Sequence, residues 1–115
     1  MISFVTLFAR DIERTADVYR LLGFEFTREQ HGSGPWHLAT VNEGIVLEIY
    51  PGDDAVSPGI MLGFDVADLE DTRAKLLAAE VPVQRDIGSA PSMRRMIVTD
   101  PERRQIFIRE RVRNT

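Results

Sequence analysis

The chain has 115 residues, 43% hydrophobic and 28% charged, with a formal net charge of −4. This suits one globular domain with a real core, and the acidic balance provides no basic field for nucleic acid. There is no cysteine, which excludes a disulfide, a thiolate nucleophile and a Cys-based zinc site and fits a cytoplasmic protein; no apolar run is long enough to span a membrane.

The opening MISFVTLFARD is apolar but lacks a basic start and a small-residue cleavage site, so 2–9 reads as a strand rather than part of a signal peptide. DIERTADVYRLLGFEF (11–26) begins with an Asp suited to N-capping and an acidic first turn. Ile12, Ala16, Tyr19 and Leu22 keep a helical period there, and Gly23 suits the stop. Strands are predicted at FEFTRE (24–29), PWHLATV (35–41) and IVLEIY (45–50), with HGSG as a flexible loop and NEG (42–44) as a tight hairpin turn. The turn-rich PGDDAVSPG (51–59) then separates two halves.

The second half repeats the first. A strand, GIMLGFDV (59–66), leads to DLEDTRAKLLAAEVPV (68–83), where Leu69, Thr72, Leu76 and Ala79 keep the helical period and Pro82 forbids continuation. Strands follow at VPVQRD (81–86), MRRMIVT (93–99) and QIFIRE (105–110). Asp, a branched aliphatic, Glu and Thr recur in register between the two helices, 57 residues apart (68 − 11). The prediction is an α+β fold of two β-α-β-β-β modules, about 1–51 and 58–111, within one domain spanning 1–115. A module of about 50 residues buries too little surface to be stable alone. The basic pairs Arg94-Arg95 and Arg103-Arg104 read as solvated.

Alternation sorts the strand residues by face. A two-residue turn at 43 and 44 sets 41 opposite 46, 39 opposite 48 and 37 opposite 50. Leu38, Ile45, Leu47 and Ile49 then share a face suited to a helix. His37, Ala39, Val41, Val46, Glu48 and Tyr50 share the other. In the second half, Ile60, Leu62, Phe64 and Val66 alternate with Met61, Gly63 and Asp65, and Ile106 and Ile108 with Gln105, Phe107 and Arg109. The mixed face has the character of a small-molecule site. Glu48 is the anomaly: a carboxylate inside an apolar strand must be exposed, paired, protonated or bound.

The paired modules, the start ARDIERTADVYRLLGFEF and the end TDPERRQIFI resemble the vicinal oxygen chelate superfamily, which includes glyoxalase I, bleomycin-resistance proteins and extradiol dioxygenases. The resemblance covers essentially the whole chain and implies curved mixed sheets around a cleft. Metal-dependent members hold one divalent ion with about four His, Glu or Gln ligands from the first and last strand of each module. Carried over, those positions fall on Phe4, Glu48, Met61 and Phe107. Only Glu48 is a usable ligand, since a phenyl ring cannot bind a metal and a thioether is poor for hard or borderline ions. The closing loop also has Arg103 where the family usually has glycine.

The resemblance therefore implies a metal-free small-molecule-binding protein, with no divalent cofactor, holding an aromatic or amphipathic ligand. Expected contacts are Phe4, Trp36, His37, Glu48, Tyr50, Met61, Phe107 and Arg109. Each also has a structural reading: Phe4, Met61 and Phe107 as core, Trp36 as an edge residue under a partner subunit, Arg109 as an exposed end. Glu48 and His37 are the candidates for proton transfer, although such a pair is also a common structural contact. His31 reads as solvated, and a replacement metal site built from the histidines with Glu48 and Asp65 is not expected. No P-loop, GxGxxG, nucleophile elbow or HExxH motif is present. The alternatives are a metal-dependent lyase or oxidoreductase with a non-standard ligand set, and a purely structural or regulatory dimer. The expected partners are a small molecule and a second copy in a homodimer, with neither nucleic acid nor membrane.

Overall fold

The structure, a computed structural model, describes residues 1–52 and 60–111. The chain divides into two units, Met1–Ala55 and Val56–Thr115. In the first, β1 (Phe4–Ala9) leads to α1 (Ile12–Arg20), β2 (Thr27–Glu29), β3 (His37–Asn42) and β4 (Ile45–Pro51). The sheet order is β1-β4-β3-β2, with β1 parallel to β4 and the other pairs antiparallel. The second unit repeats this with β5 (Leu62–Val66), α2 (Leu69–Ala78), β6 (Val83–Arg85), β7 (Arg95–Thr99) and β8 (Gln105–Glu110), in the order β5-β8-β7-β6. The crossover helix explains the topology: it returns the chain so that the first strand of each unit lies parallel to the last.

Local chemistry sets the elements. The side chains of Asp11 and Asp68 accept the backbone N–H of Arg14 and Asp71, each at 3.0 Å, satisfying donors that the helix leaves open. Tyr19 and Ala16 of α1 are fully buried with Leu7, Ala9, Leu38, Leu47 and Ile49, and α1 packs on β1, β3 and β4. In the second unit Leu69 and Leu76 of α2 are buried with Val66, Met96, Val98, Ile106 and Ile108. No helix of the described residues is long and apolar enough to cross a membrane.

Several boundaries differ from the predicted ones. Only Thr27–Glu29 of 24–29 pairs as strand. The second helix stops at Ala78, where the chain turns left-handed at Glu80 (φ 58°), before Pro82 is reached. β5 begins at Leu62, so Ile60 and Met61 lie outside it. A 3-10 turn takes Pro91–Met93, and β7 starts at Arg95. Ile45 sits at the hairpin end and is 39% exposed instead of covered by the helix. Most of the predicted separator, residues 53–59, lies outside the described residues.

The hairpin turn is as the parity argument requires. Glu43 and Gly44 both have positive φ (50° and 81°), and Val41 pairs with Val46 and Ala39 with Glu48. Arg103, at the family's glycine position, adopts φ 68°.

Candidate functional site

Three strands of the first unit deliver side chains to one place. Glu29 of β2 is the register partner of His37 of β3, so both project to the same face. Ala39, two residues beyond His37, is the partner of Glu48 of β4, which places Glu48 on that face diagonally from His37. A turn follows Glu29, closed by Gly34 N–H to His31 O at 3.0 Å and by the Gln30 side-chain amide to Gly34 O at 2.7 Å, with Gly32 at φ 57°. It returns His31 to the same group.

The geometry is close. His37 Nε2 lies 3.0 Å from Glu29 Oε1 and 3.8 Å from Glu48 Oε2, and His31 Nε2 lies 3.4 Å from Glu29 Oε1. One ligand atom from each of Glu29, His31, His37 and Glu48 falls within 4.8 Å of the others. His37 is fully buried and stacks on Tyr50, with ring centroids 4.0 Å apart and planes at 11°. Phe8 packs against the Tyr50 ring at 6.4 Å. Glu48 accepts a hydrogen bond from Thr6 Oγ1 at 3.4 Å. Thr6 is also its register partner on β1. Partial burial first, then the Glu48 and Glu29 carboxylates, push the Tyr50 phenol above its ordinary value, so it remains a donor. Glu48 is thus paired rather than loose in a strand.

Of the expected contacts, His37, Glu48 and Tyr50 come together. Phe4 lies on the same sheet, opposite Val46, and is 60% exposed, which rules out a core role. Trp36 does not join them: its ring lies 5.0 Å from the Arg28 guanidinium, whose register partner Leu38 is on the helix-facing side. Met61, Phe107 and Arg109 belong to the second unit. Met61 is exposed, Phe107 lies half-buried beside Gly63, and Arg109 Nε donates to Asp65 Oδ1 at 2.6 Å. Arg109 is thus paired with Asp65, and that bond raises the guanidinium's pKa. Glu29 was not expected, and His31, exposed as predicted, is nevertheless part of the cluster. In the sequence Glu29 is only the last residue of a predicted strand, and the pairing across the loop makes it meaningful.

The residues at the four carried-over positions do not fit the divalent ion implied by the resemblance. Two rings and a thioether offer no suitable donor, and the β1 residue opposite Glu48 is a threonine that gives it a hydrogen bond. A cavity of about 580 Å³ opens beside the cluster, lined by Phe24, Thr27, Glu29, Ala39, Val41 and Val46 among others. It lies toward β2, and Glu29 belongs to both cavity and cluster.

Comparisons with known proteins agree with this architecture. The family model described as Glyoxalase/Bleomycin resistance protein/Dioxygenase superfamily matches residues 1–106. No curated protein matches the chain. Among solved structures, the fosfomycin resistance protein FosX from Listeria monocytogenes is 13% identical with a TM-score of 0.76, covering 100% of this chain and 94% of that one. The trypanothione-dependent glyoxalase I of Leishmania major is 14% identical with a TM-score of 0.72, covering 96% and 86%. TioX from Micromonospora sp. ML1 is 18% identical with a TM-score of 0.68, covering 97% and 99%. These likenesses are of fold.

Proposed function

The chain belongs to the glyoxalase/bleomycin resistance protein/dioxygenase superfamily, and from that premise we propose that it binds a small aromatic or amphipathic molecule on the mixed face of its first unit, without an ion at the family's position. The observation that carries this is the cavity of about 580 Å³, within the range of roughly 300–1,000 Å³ typical of ligand pockets. Its apolar wall is Phe24, Ala39, Val41 and Val46, and its polar lining is Glu25, Thr27, Glu29, Thr40 and Asn42. An apolar body with one donor or cationic group toward Glu29 matches that lining. The fold itself is shared by a resistance protein and a glyoxalase, so it does not choose between binding and catalysis. Binding alone needs none of the lost donors.

The test is a thermal-shift screen of chelator-treated protein against aromatic and amphipathic compounds, with hits measured by calorimetry. Val41 is 70% exposed, so Val41→Glu leaves the fold intact while charging the wall. It is expected to weaken the hits at least about 10-fold, the effect of about 1.4 kcal/mol, while Trp36→Ala on the other side leaves them unchanged. A screen without hits, or hits that bind Val41→Glu as well as wild type, ends the proposal.

The same reading includes a homodimer. Phe4 and Phe8 are exposed on β1, an edge strand of the first sheet, and a second copy is the proposed cover for them.

A further inference from the structure

His37 poses a hydrogen-bonding problem that the proposed ligand site does not use. Its Nδ1 lies 3.2 Å from Pro35 O. A carbonyl only accepts, so in the tautomer that satisfies this contact Nδ1 carries the proton and donates it. In the neutral ring this leaves Nε2 as a bare lone pair, and Nε2 points at two carboxylate oxygens, Glu29 at 3.0 Å and Glu48 at 3.8 Å. Three acceptors facing one another in a fully buried imidazole's environment require a positive centre among them. That centre is either a proton shared between Nε2 and a carboxylate oxygen or a cation seated in the group.

The four-residue geometry points to a cation. A second imidazole, His31, also directs Nε2 at Glu29 Oε1, at 3.4 Å, so two imidazole nitrogens converge on one carboxylate oxygen. A divalent ion with ligand bonds of about 2.0–2.1 Å in a tetrahedron has ligand–ligand edges of about 3.4 Å. Three nitrogen–oxygen separations, 3.0, 3.4 and 3.8 Å, straddle that edge, and all four donor atoms lie within 4.8 Å of one another. The Nδ1–H bond to Pro35 O is the outer contact that fixes the tautomer of a ligating histidine. Thr6 likewise holds Glu48 by donating to it. Two carboxylates balance the charge of a divalent ion, and two imidazoles with two oxygens suit Zn²⁺ or a neighbouring transition metal better than Ca²⁺ or Mg²⁺.

We infer that Glu29, His31, His37 and Glu48 form a site for one divalent transition metal, with Zn²⁺ as the best match. The site lies wholly within the first unit. It shares Glu48 with the position implied by family resemblance, but its other three donors come from β2, the following turn and β3. The strands themselves supply three of the four donors, and the exposed His31 closes the fourth side from the loop. The inference does not rest on the organic-ligand proposal, although the two sites share Glu29.

Untagged protein, stripped with chelator and free of any organic compound, is titrated with Zn²⁺ by calorimetry and with Co²⁺ by visible absorption. One ion per chain is expected, and Co²⁺ should give the intense band of four-coordinate cobalt. His31→Ala and Glu29→Gln should each weaken Zn²⁺ at least about 10-fold, the smaller end of what even a supporting residue contributes. Both are offered because His37 is buried and its removal risks the fold. Asp65→Asn in the second unit should bind like wild type. Absence of Zn²⁺ binding at micromolar concentrations overturns the inference. So does binding that survives both variants, or a His37 ring that nitrogen NMR shows doubly protonated in the presence of Zn²⁺.

Discussion

Arg103 shows how one side chain departs from its family's habit without moving the backbone. Its φ of 68° belongs to the left-handed region, which costs an L residue about 1–2 kcal/mol. The buried carboxylate of Asp100 holds the loop there, accepting the N–H groups of Glu102 at 2.8 Å and Arg104 at 2.9 Å, while Arg104 Nη1 reaches it at 3.2 Å. Arg103 N–H closes the turn on Asp100 O at 2.9 Å. A glycine relieves the steric cost but gives back about 0.5–1 kcal/mol of chain entropy. Arg103→Gly is therefore expected to stabilise the protein by roughly 0.5–1 kcal/mol in urea unfolding. A loss of stability instead would show that the arginine side chain contributes more than its backbone costs. The same scale explains what was legible at the site. Glu48, His37 and Tyr50 followed from alternation once the turn at 43 and 44 was placed, because parity is a property of neighbours along two strands. His31 depended on the shape of a Gly-rich turn, which no period encodes.

At the scale of elements, α2 is tied to the segment after β6 by a two-pronged contact. Arg73 Nε and Nη2 donate to the two oxygens of Asp86, each at 2.8 Å, and Ile87 N–H adds a third bond at 2.7 Å. The Arg73 bonds first, then the Ile87 amide, hold the Asp86 carboxyl at about 2, against an ordinary 3.8. The folded pKa is depressed, so the stability this tie contributes is fully present above the ordinary value and is lost as pH falls through about 2. Asp86→Asn should lower the urea midpoint by a constant amount at neutral pH. That gap should shrink once pH drops below about 3.8 and close near about 2. Both side chains are largely exposed, so added salt should narrow the gap too. A gap independent of pH would assign the effect to packing rather than charge. Pairing between elements was also the harder part of the sequence. The helices and the 43–44 hairpin announce themselves through caps, periods and a short turn. The partnership of β2 with β3 spans a loop of seven residues, and Glu29 acquires its neighbours only through that register.

For the whole molecule, the decisive quantity is apolar surface left in water. Phe4 at 60% and Phe8 at 43% alternate along the edge strand β1, and Val41 at 70% lies on the same face two strands away. In the second unit Ile60 at 65% and Met61 at 49% are also exposed. An unpaired edge that carries phenylalanines invites association, and a soluble monomer ordinarily blunts it with charge. Charge is absent from β1, whose residues are FVTLFA. The proposed homodimer satisfies this by covering the strand, and a stable interface needs on the order of 800 Å² from each partner. Light scattering on the purified protein should then give a molar mass near twice 13.0 kDa. Because Phe4 faces solvent, Phe4→Glu removes no core and should leave melting cooperative while shifting the mass toward the monomer. A wild-type mass of one chain at micromolar concentration would mean that these rings are held for something smaller than a subunit, and would move them from the interface to the binding floor.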